Sequence, residues 1–209
     1  MGERDWIEWH RRYDDPASRL SRRLAIVRRR IAEALDAVPP GPVRVASLCA
    51  GDGRDLLGVL EGHPRGAEVT GLLVEQDPDL ADRARARAAA LPGAVEVVTG
   101  DAASTDLYGG IVPVDILLVC GVFGNVPDAD IARTVAALPA FGRPGTRVVW
   151  TRHRRPPDLV PTVVGWFAGA GYDRWFVDGQ AEGGFCVGGS VQRAPARPLP
   201  AGVRLFAFR

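Results

Sequence analysis

The chain contains no lysine; all 26 of its basic residues are arginine. A Schiff-base lysine, a P-loop lysine and a kinase-type phosphate lysine are therefore excluded. Only three cysteines occur, Cys49, Cys120 and Cys186, far apart, with no CxxC pair and no clustered histidine. That argues against a structural zinc site, any other metal and a disulfide framework. No apolar run approaches the ~20 residues needed to span a bilayer. The opening Met-Gly-Glu-Arg-Asp-Trp lacks the apolar core of a signal peptide. A marked excess of either charge is missing too: 26 basic against 25 acidic residues leave +1, so a nucleic-acid partner is not expected. A soluble protein of the reducing cytoplasm, with no membrane partner, is the expectation. Composition leaves a homodimer open.

What is present is enough apolar material, 46% of 209 residues, for one well-buried core. A single domain over 1–209 is expected, with 1–38 as an N-terminal helical lid or cap and 43–209 as the core. Ser18 can cap a helix, and Leu20, Leu24, Val27, Ile31, Leu35 and Val38 then recur on one face. Arg22, Arg23 and Arg28 to Arg30 fall mostly off that stripe and read as a solvated face. From Val43 the rhythm becomes short apolar runs between helical stretches. Strands are expected at 43–49, 68–75, 94–99, 114–120 and 146–151, and helices at 54–62, 78–91, 128–140 and 158–170. This alternation predicts an α/β fold, a doubly wound and mostly parallel sheet covered on both faces. The tail reads as a strand pair, 172–178 and 203–209, giving an antiparallel strand near the C-terminus.

In such sheets ligands bind beyond the carboxyl ends of the strands, at the switch in strand order. The first strand runs into Cys49-Ala50-Gly51-Asp52-Gly53-Arg54-Asp55. Gly51 and Gly53 permit a tight turn and a close backbone approach. Leu56 stands where the dinucleotide fingerprint needs its third glycine, which argues against NAD. Glu75 ends the second strand, where a carboxylate can hold both hydroxyls of a ribose. Asp101, after the third strand, suits either a purine amine or a helix cap. Cys120 and Gly121 end the fourth strand, and the small thiols of Cys49 and Cys120 leave room for a ligand. Asn125, the only asparagine, serves either a substrate or a left-handed turn.

In order, these strand ends resemble the class I S-adenosylmethionine-dependent methyltransferases over roughly residues 43–178. Segment 45–56 (VASLCAGDGRDL) is similar to the family's glycine-rich first motif, Glu75 to its acidic ribose position, Gly100-Asp101-Ala102 to its adenine motif, and 115–126 to its fourth-strand motif. The resemblance implies a Rossmann-like methyltransferase fold of seven strands, and S-adenosyl-L-methionine as cofactor. Tyr13, Cys49, Ala50, Gly51, Gly53, Glu75, Gln76, Asp101, Ala102, Cys120 and Gly121 would bind it. It also implies direct methyl transfer to a hydroxyl, carboxyl or amine of a small molecule. Trp9, Asn125 and Arg152 would be substrate contacts, and His153 and His10 candidate bases.

Two departures stand out. Ser47 replaces the family's usual acid, and Cys49 its usual glycine. The Gly-Val-Phe-Gly-Asn after the fourth strand also differs from the motif of enzymes that methylate the amino groups of bases. A non-catalytic module sensing the cofactor or its demethylated product, and less so an RNA methyltransferase, are the alternative readings.

Overall fold

Ser18 opens the first helix of the described residues: its Oγ accepts from the Ser21 amide at 3.0 Å. This helix, α1 (Arg19–Ala37), buries Val27, Ile31, Ala34 and Leu35, so the apolar stripe faces inward. The computed structural model describes residues 13, 15, 17–179 and 184–209. From Arg19 onward the expected lid is a core helix on the sheet. Its arginines are not all solvated. Arg28 donates twice to the Arg54 carbonyl, at 2.8 and 2.6 Å. Arg30 pairs with Asp178 at 2.5 Å.

Seven strands follow: β1 (Val43–Leu48), β2 (Val69–Glu75), β3 (Ala94–Thr99), β4 (Ile116–Val119), β5 (Arg147–His153), β6 (Tyr172–Gly179) and β7 (Phe185–Gln192). They form one sheet in the order β3-β2-β1-β4-β5-β7-β6. β1 to β5 run parallel. β7 is antiparallel to both neighbours. The order reverses between β1 and β4, which places the switch at the ends of those two strands. The remaining helices are α2 (Leu57–Leu60), α3 (Pro78–Ala88), α4 (Asp128–Ala137) and α5 (Val160–Gly169). One face of the sheet packs with α1, α2 and α3 residues such as Ile31, Leu57 and Ala84. The other packs with Ile131, Val135, Val163 and Phe167 of α4 and α5. Among the described residues no helix is long and apolar enough to cross a membrane.

Two elements differ from the sequence expectation. Residues 54–62 supply only the short α2, because 51–56 are spent on turns. The seventh strand is Phe185–Gln192, not 203–209. Glycine pairs are poor strand formers, but here Gly188 lies opposite Trp150 and Gly189 opposite Val149 in the β5 register. A Cβ on Gly188 would stand 2.1 Å from the Trp150 ring, and one on Gly189 2.1 Å from Phe176. Glycine is what lets both rings approach the strand so closely. The terminal segment instead bridges Ser104 through Arg204. It buries Leu205 and Phe206, with the Leu205 amide on the Ala103 carbonyl at 2.9 Å.

Gly188→Ala should therefore lower stability by roughly 1–3 kcal/mol, the cost of overpacking a filled core. Denaturant melting measures it, and an unchanged midpoint would refute the packing account.

Candidate functional site

The glycine-rich turn is shaped by its backbone. Cys49, Gly51 and Gly53 have φ of 54°, 59° and 70°, and Gly121 across the switch has 82°. A left-handed cysteine is costly where glycine is not. The turn is held by side chains on both flanks. Asp52, buried, takes Arg54 Nε and Nη2 at 2.8–2.9 and 2.6 Å. Glu75, at the tip of β2, accepts the Gly51 amide on Oε2 at 2.7 Å and the Asp77 amide on Oε1 at 2.9 Å. A carboxylate offers about four lone-pair directions, so Glu75 keeps acceptor capacity for a ligand. Gln76 follows it in the same turn, and Ala50 donates to the Val74 carbonyl at 3.0 Å.

The third-strand motif sits beside this. Asp101 Oδ1 takes the Ala103 amide at 3.0 Å, and Oδ2 pairs with Arg204 at 2.7 Å. Tyr108, fully buried, donates to the Ala102 carbonyl at 2.9 Å and so fixes the same turn from below. Burial pushes the Cys49 thiol well up, and Glu75 and Asp101 push it further. Both carboxylates thus lie within electrostatic reach of the residue that follows β1.

A second group forms around Cys120. Burial raises its thiol far above the ordinary range, with Asp55 adding and Arg23 opposing. Tyr13 belongs here: its hydroxyl accepts from Arg23 Nη2 at 2.8 Å, and its ring lies under the Arg54 guanidinium at 4.6 Å. Asp55 accepts the Leu56 amide at 2.8 Å. Burial raises its carboxyl above the usual carboxylate range; the Leu56 amide and Arg28 oppose this, and Asp52 adds to it. Beyond Cys120, Gly121 donates to Thr151 Oγ1 at 2.8 Å, and a Cβ there would meet nothing within 4 Å.

The expected acceptor contacts lie on the next two strand ends. Asn125 Nδ2 donates to the Gly121 carbonyl at 2.6 Å, the geometry of a turn. Arg152, buried at 7% exposure, donates to the Phe123 carbonyl and reaches Asp128 Oδ1 at 3.5 Å. His153 accepts the Arg155 amide on Nδ1 at 3.3 Å. Burial lowers its pKa, as do Arg152, Arg155 and Arg209. A neutral ring that accepts at Nδ1 carries its proton on Nε2. Trp9 and His10 lie outside the described residues.

Asp55, Arg23, Tyr108 and Arg204 were not singled out from sequence. Asp55 stood inside the quoted first motif, and Arg23 was counted with a solvated face.

Comparisons with known proteins agree with this layout at the level of the fold. No protein-family model and no curated protein matches the sequence. Solved structures do match. Magnesium protoporphyrin IX methyltransferase from Synechocystis PCC 6803, solved with S-adenosylmethionine bound, superposes with a TM-score of 0.67 at 12% identity, over 90% of each chain. The fold is that of the class I S-adenosylmethionine-dependent methyltransferases. An O-methyltransferase family protein from Burkholderia thailandensis gives 0.58 at 18% identity, over 87% of this chain and 61% of its own. The cyclase SpnF gives 0.60 at 12%, over 80% of this chain and 82% of its own.

The thiols provide a direct check of burial at the site and in β7. Burial raises Cys186 to about 12, and Cys49 and Cys120 are raised too. Less thiolate forms near neutrality, so native alkylation at pH 7.5 should run more than about tenfold slower than in the unfolded chain. Equal rates by mass spectrometry would refute it.

Proposed function

We propose that the protein is a methyltransferase that binds S-adenosyl-L-methionine at the β1/β4 switch and methylates a small molecule. The observation that carries this is the set of carboxylates gathered at the strand ends. Asp55, Glu75 and Asp101 all face the glycine-rich turn or its flanking thiols. Three carboxylates disfavour the phosphates of a dinucleotide and suit a cationic ligand bearing hydroxyls and amines. The open face at Gly121 gives such a ligand room.

When bound, the cofactor supplies a methyl group on a cationic sulfur, open to displacement by a nucleophile. The chain's own residues bind and align. Glu75 accepts the ribose hydroxyls while pinning the Gly51 turn. Asp101, held by Ala103 and Arg204, and the Ala102 segment, held by Tyr108, meet the adenine. Cys49, Ala50, Gly53 and Gln76 shape the walls. Near Cys120, Asp55 takes the cofactor's ammonium, and Arg23 with Tyr13 takes its carboxylate. Asp55 thereby restores, eight residues downstream, the charge that Ser47 does not carry. The charge reaches the pocket from the turn instead of from the strand.

Glu75→Ala should weaken S-adenosylmethionine by roughly 10–100-fold in titration calorimetry, since it removes charge-assisted hydrogen bonds of ~1.5–3 kcal/mol. Undiminished affinity would overturn the ribose assignment. Asp55→Asn should weaken S-adenosylhomocysteine by about tenfold or more. The same change should leave 5′-methylthioadenosine, which lacks the amino-acid end, within about twofold. Equal losses for both ligands would remove Asp55 from the ammonium site.

A further inference from the structure

The ends of β4 and β5 carry a different charge from the cofactor pocket. Arg152 and Arg209 converge on a single oxygen, Asp128 Oδ1, at 3.5 and 3.6 Å. Both separations are long for a charge-assisted hydrogen bond, which is about 2.7–2.9 Å. One carboxylate therefore serves two guanidinium groups, loosely. The buried Nε of Arg152 has no hydrogen-bond partner, and an unpaired buried donor is expensive. Arg155 is exposed two residues beyond His153. Its neighbour Arg154 is neutralised by Asp158 at 2.7 Å. His153 Nδ1 is occupied by the Arg155 amide, which leaves Nε2–H as a donor.

The terminal segment is fastened into the same place. The Arg209 amide donates to the Asn125 carbonyl at 3.1 Å, and the Ala207 amide to Asp130 at 2.8 Å. A Cβ on Gly124 would stand 3.5 Å from His153 Cδ2, so the β4 loop packs against that ring. Donors from three stretches of chain thus gather at one edge of the sheet, with too few acceptors among them.

We propose that this edge is an oxyanion site, and that the methyl acceptor is held there through a carboxylate or phosphate group. Arg155 and Arg209 supply the charge, and His153 donates through Nε2. Arg152 fixes the β4 loop by its bond to Phe123 and lends its charge from beneath. Guanidinium groups suit such ligands because their paired N–H groups match two oxygens at once. The inference rests on the methyltransferase reading for the word acceptor, but the anion site itself does not depend on the cofactor. It narrows the substrate class: a neutral acceptor without an acidic group is excluded.

The test is an NMR titration of the full chain with sodium acetate and with inorganic phosphate, at ionic strength held constant with chloride. The probe is the His153 ring, assigned by its loss in His153→Gln. Each titration is run with and without S-adenosylhomocysteine, whose own binding is measured separately. We expect a saturable shift of His153 with at least one oxyanion, while His63, beside Asp36, stays silent. The tighter of the two probes names the group. Arg155→Ala and Arg209→Ala together should weaken that binding by about tenfold or more. A His153 signal that moves no more than with chloride, or binding untouched by the double variant, overturns the proposal. Failure of S-adenosylhomocysteine alone to bind would instead count against the cofactor reading.

Discussion

The site depends first on one carboxylate. Glu75 sits at the last position of β2 and spends one oxygen on the Gly51 amide and the other on the Asp77 amide. The first bond crosses from one strand end to another; the second closes the turn into α3. A half-buried charge is steadied by hydrogen bonds, and backbone amides satisfy it without a competing cation. The arrangement is thus preorganised: the turn after β1 keeps a left-handed Cys49 and Gly51 because a neighbouring strand holds it. A carboxylate already fixed by two amides loses little freedom on meeting a ligand.

Much of this was legible from residues. Parallel strands reveal themselves as continuous apolar runs, and VTGLLVE or DILLV can hardly be read otherwise. The strand ends then follow by position, which is why the places of Glu75, Gly51 and Cys120 at those ends are legible in the sequence. β7 was not legible, because its FCVGGSVQ run owes its glycines to Trp150 and Phe176. Those partners are remote in sequence, and local propensity carries no trace of them. Asp55 was hidden for a related reason. A carboxylate in an Arg-Asp pair looks solvated, and only the turn, which directs the chain inward, draws it out of open water. The arginines of α1 mislead in the same way: Arg28 and Arg30 reach across to Arg54 and Asp178, contacts that helical spacing cannot foretell.

The fold by itself leaves the chemistry open. A methyltransferase from Synechocystis and the cyclase SpnF superpose on this chain equally in kind, at 12% identity each. Function must therefore be argued from the side chains at the strand ends. Here those side chains differ from the family pattern in a connected way. Ser47 carries no charge in the strand; on the proposed reading Asp55 supplies one from the turn, and Cys49 holds a backbone conformation that glycine would adopt freely. The strained turn is held by its neighbour, through the Gly51 amide on Glu75.

On the proposed reading, the carboxyl edge of the sheet is divided by charge. Around β1, β2 and β3 it presents Asp55, Glu75 and Asp101; around β4 and β5 it presents Arg152, Arg155 and Arg209. A cationic cofactor and an anionic acceptor would each be drawn to its own half and repelled from the other. They would meet at Cys120 and Gly121, where the side chains are smallest and the backbone is open. Alignment of two reactants is most of what methyl transfer from a sulfonium asks of a protein. A field that sorts them by sign achieves part of that alignment before either makes a specific contact. Under this division His153 has no proton to remove, and its place in the ring of arginines is that of a neutral donor.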